Sequence, residues 1–259
     1  MIGAIIGDVV GSVYEFNNHR SKDFPLFCDK SHFTDDSVLT FATAKVLLDG
    51  GDYAAIYQQF ARAYPHRGYG GRFKRWIWQD DPQSYYSFGN GSAMRVAPVG
   101  FAFTDAETTL AEAKRSAEVT HNHPEGIKGA QAVAIAIWMA RQGIDKVGIR
   151  ESITKQFNYD LSRNCDYIRI VNKFDATCQG SVPEAITCFL ESTNFEDCIR
   201  LAISIGGDSD TIACIAGGIA QAYYGEIPEW IIMGARARLN PDLMKILDRF
   251  ENQFLLDLA

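Results

Sequence analysis

The sequence has no run of basic residues, no C-x-x-C pair and no apolar run near the ~18–20 residues that a bilayer requires. Each absence excludes something. With 25 Lys and Arg against 32 Asp and Glu, the net charge is −7. Binding along a nucleic-acid backbone rests on clustered cations, so no such partner is expected. The six cysteines (28, 165, 178, 188, 198 and 214) lie mostly in apolar, helical-looking surroundings, where thiols are buried. Their spacing indicates no disulfide framework and makes the cytoplasm the expected compartment. Ile2–Val13 is apolar but contains Asp8, lacks a basic leader and is too short to span a membrane. Alternating strand patterns, hairpin turns between strands, repeats and linker-like stretches are missing as well. What is left is an all-α fold, expected as one compact multi-helix orthogonal bundle over residues 1–259, and a 47% apolar composition gives it a substantial core.

Helical periodicity runs through most of the chain. Met1–Phe16 carries Ile2, Ile5, Ile6, Val9, Val10 and Val13 at helical spacing. Gly3, Gly7 and Gly11 fall four apart on one face, a flat surface for another helix at close range. Asp8 and Glu15 are seven residues apart, two turns along one face of the same predicted helix. Asn17–Phe33 and the glycine- and aromatic-rich Pro65–Ser92 read as loops, with a short helix near Arg72–Trp78. Further helices are expected near 35–48, 53–64, 93–101, 106–120, 126–141, 147–157 and 164–173. Another five are expected near 183–190, 195–205, 211–223, 229–237 and 241–254.

Against this apolar background two oxygen-rich clusters stand out. Ser204-Ile205-Gly206-Gly207-Asp208-Ser209-Asp210-Thr211 and Thr34-Asp35-Asp36-Ser37 each precede an apolar-periodic segment. Helix capping explains one such side chain per cluster, because Ser, Thr and Asp accept from free N–H groups. The rest are hard oxygen donors, which select Mg²⁺, Mn²⁺ or Ca²⁺ over zinc. Four carboxylates exceed what one Mg²⁺ takes from protein, so a two-metal site competes with two generously capped helices. Gly89-Asn90-Gly91-Ser92 opens a helix and can turn free N–H groups toward phosphate, or form a plain turn. Tyr85, Tyr86 and Phe88 are base-stacking or core aromatics, and Arg95 is an anion partner or one half of an ion pair. His121 and His123, two apart before Pro124, do not have zinc-protease spacing; a hydrogen-bonding role fits them better.

The order of these segments resembles the ADP-ribosylglycohydrolase family. The resemblance starts at Gly3-Ala4-Ile5-Ile6-Gly7-Asp8-Val9-Val10-Gly11-Ser12-Val13-Tyr14-Glu15 and continues through Phe33-Thr34-Asp35-Asp36-Ser37 and Gly89-Asn90-Gly91-Ser92-Ala93-Met94-Arg95. Thr120-His121-Asn122-His123-Pro124 and Gly206-Gly207-Asp208-Ser209-Asp210-Thr211 complete it. It implies an all-α hydrolase that cleaves the glycosidic bond of ADP-ribose at two Mg²⁺ or Mn²⁺ ions. By motif, the ions are held by Thr34, Asp35, Asp36, Asp208, Asp210 and Thr211. Glu15 matches a substrate-contacting or acid–base glutamate, with Asp36 and Asp208 as catalytic carboxylates beside the reacting carbon. Ser87, Phe88, Gly89, Asn90 and Gly91 match the loop that holds the diphosphate and sets an aromatic near adenine, and His121 matches an ADP-ribose contact. The partner implied is an ADP-ribosylated protein or a small ADP-ribosyl compound. The Ser-aromatic-Gly-Asn-Gly order leans toward the branch acting on modified serine. The chain is short for the family, which leaves modified Arg, modified Ser and free metabolites all open. A metal-dependent phosphoesterase and a non-catalytic ADP-ribose binder are the rival readings; the full ligand set speaks against the latter.

Overall fold

In the computed structural model, which describes residues 1–255, the chain folds as α1 (Ile2–Gly11), α2 (Asp35–Asp49), α3 (Tyr53–Ala63), α4 (Gly71–Trp76) and α5 (Gly91–Met94). There follow α6 (Ala97–Ala102), α7 (Ala106–Glu118), α8 (Pro124–Arg141), α9 (Lys146–Phe157) and α10 (Cys165–Val171). The last five are α11 (Cys178–Glu191), α12 (Phe195–Ser204), α13 (Ser209–Tyr224), α14 (Glu229–Arg236) and α15 (Pro241–Phe254). Among the described residues the sole β feature is an isolated bridge between Gly89 and Thr177. The all-α expectation is met. All six cysteines are free thiols, with Cys28 exposed and the other five buried. None of the described helices is long and apolar enough to cross a membrane.

Every residue of α1 is buried, as is Ser209–Ala220 of α13. Helices without a polar face belong in the middle of a core, and these two lie against each other, antiparallel. A methyl group at Gly3 would collide with the Gly217 carbonyl, one at Gly7 with the Ala213 carbonyl, and one at Gly11 with the Asp210 backbone. The glycine face of α1 therefore sets how closely α13 approaches. Around this pair pack α2, α8, α11 and α12, with Ile199 of α12 set against Gly217 of α13.

Side-chain caps fix many helix starts. Asp52 accepts from Ala55 N–H at 2.8 Å, Asp105 from Thr108 at 2.7 Å, and Asn194 from Asp197 at 2.9 Å. Three boundaries differ from the periodicity. α1 stops at Gly11 rather than Phe16, because the Ser12 hydroxyl turns back to the Val9 carbonyl at 2.9 Å and Tyr14 N–H closes a turn on Gly11 at 2.7 Å. Asp8 and Glu15 are thus not on one helix face. The expected helix over 93–101 is two short ones, α5 and α6, because Pro98 has no N–H to give the Met94 carbonyl, which accepts from Thr40 and Cys214 instead. α11 begins at Cys178, capped by Thr177, and takes Pro183 into its interior.

Candidate functional site

The last turn of α1 and the first turns of α2 and α13 meet at one point. Asp8, fully buried, accepts from the Thr34 N–H at 2.9 Å, the Thr34 hydroxyl at 2.6 Å, the Ser37 N–H at 3.0 Å and the Ser37 hydroxyl. Four donors on one carboxylate tie the start of α2 to α1. Asp8, Asp36 and Asp210 bring carboxylate oxygens within 4.8 Å of one another, and so do Glu15, Asp208 and Asp210. Because Asp210 belongs to both groups, the five form a continuous acidic cluster.

Both oxygen-rich clusters open helices, yet they cap differently. Thr34 accepts from Asp36 N–H at 3.2 Å, as a cap does. Asp208 occupies the cap position of α13 without a capping bond, and its Oδ2 instead accepts from the Asn90 amide at 2.7 Å. Asp36 Oδ1 and Asp210 Oδ1 are buried with no hydrogen-bond partner among the described residues, a costly state for a carboxylate oxygen unless a cation faces it. Burial, then Asp8, Asp35 and Asp208, push the Asp36 carboxyl well above its usual range. Burial, then Asp36, Asp208, Glu15 and Asp8, do the same to Asp210. Glu15 is pushed up to about 7 by burial and by the charges of Asp208 and Asp8. An all-oxygen donor set with mutually repelling charges and orphaned oxygens fits hard divalent cations. The Thr211 hydroxyl stands 3.4 Å from Asp36 Oδ2, while the Thr34 hydroxyl is directed to Asp8. Asp35 borders the same cavity outside both carboxylate groups, with its N–H on the Arg67 carbonyl at 2.7 Å.

A cavity of about 460 Å³ extends from this cluster to the segment 85–91. Its far wall is Arg72, Tyr85, Ser87, Gly89, Gly91, Arg95 and His121. The Ser87 hydroxyl accepts from Gly89 N–H at 3.2 Å, holding the turn. Asn90 donates its amide to Asp208 and, at 2.9 Å, to Ser181, so this residue links the glycine turn to the acidic cluster. Phe88 does not line the cavity; it is half-exposed, with its ring 5.1 Å from that of His123. At the mouth Phe16 and Phe174 stack at 6.0 Å. Burial, Arg95 and Arg72 hold His121 well below the usual histidine range, so its ring is neutral.

The family model described as ADP-ribosylglycohydrolase matches residues 1–256. The chain belongs to the ADP-ribosylglycohydrolase family. Among its relatives, ADP-ribosylhydrolase ARH3 of Mus musculus is 27% identical across 88% of this chain and 84% of its own length. ADP-ribosylarginine hydrolase Tri1 of Pseudomonas putida (strain GB-1) is also 27% identical, across 89% of this chain and 72% of its own. A solved structure titled ADP-ribosylglycohydrolase-related protein complex superposes with a TM-score of 0.74 at 21% identity, covering 98% of this chain and 97% of that one. At that identity the superposition speaks for the fold alone. As a family member, the protein is an ADP-ribosylglycohydrolase-like hydrolase.

Within this acidic cluster, sequence reasoning underrated Asp8, whose signal was a lone carboxylate inside an otherwise apolar helix. It missed Asn18 and Arg20 altogether. Gly206 and Gly207 have φ of +66° and +86°, a left-handed turn open to glycine. Asn18 brackets that turn by accepting from Gly207 N–H and donating to its carbonyl, both at 2.9 Å. Arg20 donates to the Ile205 and Asn172 carbonyls at 2.7 Å. Nothing local marks two polar residues in a loop for that task.

Proposed function

We propose that this protein is a divalent-cation-dependent hydrolase that frees ADP-ribose from an acceptor, either a modified protein side chain or a small ADP-ribosyl compound. The observation that supports this best is the two-ended cavity. One end gathers the acidic cluster with its two orphaned oxygens; the other offers Arg72, Arg95, a neutral His121 and the side-chain-free turn at Gly89 and Gly91. A ligand with a cis-diol sugar and a diphosphate matches both ends at once.

In this reading Thr34, Asp35, Asp36, Asp208, Asp210 and Thr211 hold two Mg²⁺ or Mn²⁺. When bound, the ions supply positive charge that orients the ribose hydroxyls and acidifies a water molecule. Hydrolysis places the water oxygen on the anomeric carbon, breaks that carbon's bond to the acceptor nitrogen or oxygen, and delivers a proton to the acceptor. In this reading Glu15, which lines the cavity beside Asp208 and Asp210, passes that proton, and a carboxyl pushed up to about 7 holds or releases it near neutrality. Asp36 and Asp208 set negative charge beside a carbon that becomes oxocarbenium-like. Ser87, Gly89 and Gly91 with His121 receive the diphosphate, Asn90 keeps Asp208 in place, and Phe88 with His123 presents exposed ring surface for the base.

The acceptor class is decided by experiment. Purified protein with Mg²⁺ or Mn²⁺ is offered ADP-ribosyl-arginine, ADP-ribosyl-serine, ADP-ribosyl phosphate and poly-ADP-ribose, with free ADP-ribose followed chromatographically. Release from at least one substrate, abolished by chelation, is expected. Release from none, with inorganic phosphate liberated from nucleotide esters instead, would favour a phosphoesterase and sink the proposal.

A further inference from the structure

Arg95 is fully buried, but among the described residues no carboxylate pairs with it. Its guanidinium lies over the Tyr57 ring at 4.1 Å, and Tyr57 is tied to Thr43 at 2.9 Å. Nη2 donates to the Ser116 carbonyl at 2.8 Å and to Thr120 Oγ1 at 2.9 Å. The same Thr120 oxygen lies 2.7 Å from His121 Nδ1. A guanidinium has no acceptor to offer, so at the first contact the Thr120 oxygen accepts. Its own hydrogen is then free for one partner, and His121 Nδ1 is the other atom bonded to that oxygen. Were Nδ1 to carry a hydrogen instead, the Thr120 hydroxyl, fully buried, would be left as an unsatisfied donor. Nδ1 is therefore the acceptor, and in a neutral ring the hydrogen belongs to Nε2.

We infer that Arg95 and Thr120 are positioning residues that lock His121 in its Nε2–H form, so that it presents a donor to an anionic oxygen in the cavity. Nε2 looks onto the glycine turn. A methyl group at Gly91 would come within 3.2 Å of it and one at Gly89 within 3.5 Å, so the two glycines leave this N–H uncovered. Protonation of the ring is not available to supply the donor, because burial and the two arginines keep it neutral. In the opposite tautomer a lone pair would face the ligand oxygen and repel it. The choice between attraction and repulsion at this wall is made by one hydroxyl hydrogen, whose direction is imposed by Arg95.

The ligand part of this inference rests on the ADP-ribose reading of the cavity; the tautomer part does not. Long-range ¹H–¹⁵N correlation on ¹⁵N-labelled, ligand-free protein near neutral pH reads the tautomer directly. Wild type should show Nε2 protonated and Nδ1 bare. Thr120→Val removes the hydroxyl with little change in shape and should mix the tautomers or favour Nδ1–H; Thr120→Ser should restore the wild-type pattern. ADP-ribose affinity by calorimetry should fall about tenfold in Thr120→Val, the loss of one hydrogen bond to a charged group, and recover in Thr120→Ser. Nδ1–H in the wild type, which needs no variant to fold, or an unchanged Nε2–H pattern in Thr120→Val, would overturn the inference. A tautomer that follows the hydroxyl while no form of the protein binds ADP-ribose supports the lock and counts against the cavity reading alone.

Discussion

Asp210 shares one carboxylate group with Asp8 and Asp36 and the other with Glu15 and Asp208, and its Oδ1 is buried without a partner among the described residues. In metal-stripped protein that charge is repelled from several sides, so Asp210→Asn should relieve more than it breaks. We expect the chelator-treated variant to melt higher than chelator-treated wild type by about 2–4 °C per kcal/mol of relief, while elemental analysis shows lost Mg²⁺ or Mn²⁺. Unchanged metal content together with a lower melting temperature would count against Asp210 as a ligand. Glu15 differs in kind: it is half-buried at the rim and its carboxyl is pushed up to about 7. Glu15→Gln keeps the shape and removes the proton transfer, so turnover should drop about 10²–10⁴-fold with metal content intact. Wild-type turnover would end the assignment. The residue types of this cluster were readable in the sequence because carboxylates are expensive to place among apolar segments. Which oxygens stay orphaned was not readable, since that depends on Asn90 reaching Asp208 and Thr34 reaching Asp8 across the fold.

The α1–α13 contact is where an element controls the site. Gly7 is one residue from Asp8 and lies against the Ala213 carbonyl, while Gly11 lies against the Asp210 backbone. Gly7→Ala has a small helix-propensity gain in its favour, but its methyl meets backbone, which has no rotamer to move aside. Overpacking of this sort costs about 1–3 kcal/mol, and the displaced helix carries Asp208 and Asp210 away from Asp8 and Asp36. Urea unfolding should show a lower midpoint with an unchanged slope, and metal affinity should fall too. A midpoint equal to wild type would show that the helices do not touch as described. The four-residue glycine spacing foretold a close helix; that the neighbour would be α13 could not be foretold, because no local signal names a partner some two hundred residues away. Helix ends escaped for a related reason. Periodicity reports faces, whereas Ser12 turning back to Val9 ends α1, and Thr177 capping Gly180 N–H at 3.1 Å starts α11 ahead of Pro183.

For the whole molecule, the site exists only once α1, α2 and α13 have met, so groups at its wall report on global unfolding. His121 is such a group: its ring is buried, and burial with Arg95 and Arg72 holds its pKa well below the unfolded value near 6.5. The folded state therefore refuses a proton that the unfolded state accepts. Its contribution to stability is fully present above about pH 6.5 and is lost as pH falls below that value, by at most about 1.36 kcal/mol per pH unit. The buried carboxylates Asp36 and Asp210, whose folded pKa values are raised, contribute with the opposite sign in metal-free protein. The wild-type profile alone is therefore a sum of opposing slopes. The difference between wild type and His121→Gln isolates the imidazole, because the variant retains every carboxylate. Unfolding free energies from urea titrations between pH 7.5 and 5.0 should show wild type losing ground to His121→Gln as pH drops, with the gap opening near pH 6.5. A gap that stays constant across this range would mean that the folded protein protonates His121 as readily as the unfolded chain does. The neutral ring on which the Nε2–H donor depends would then be lost as well.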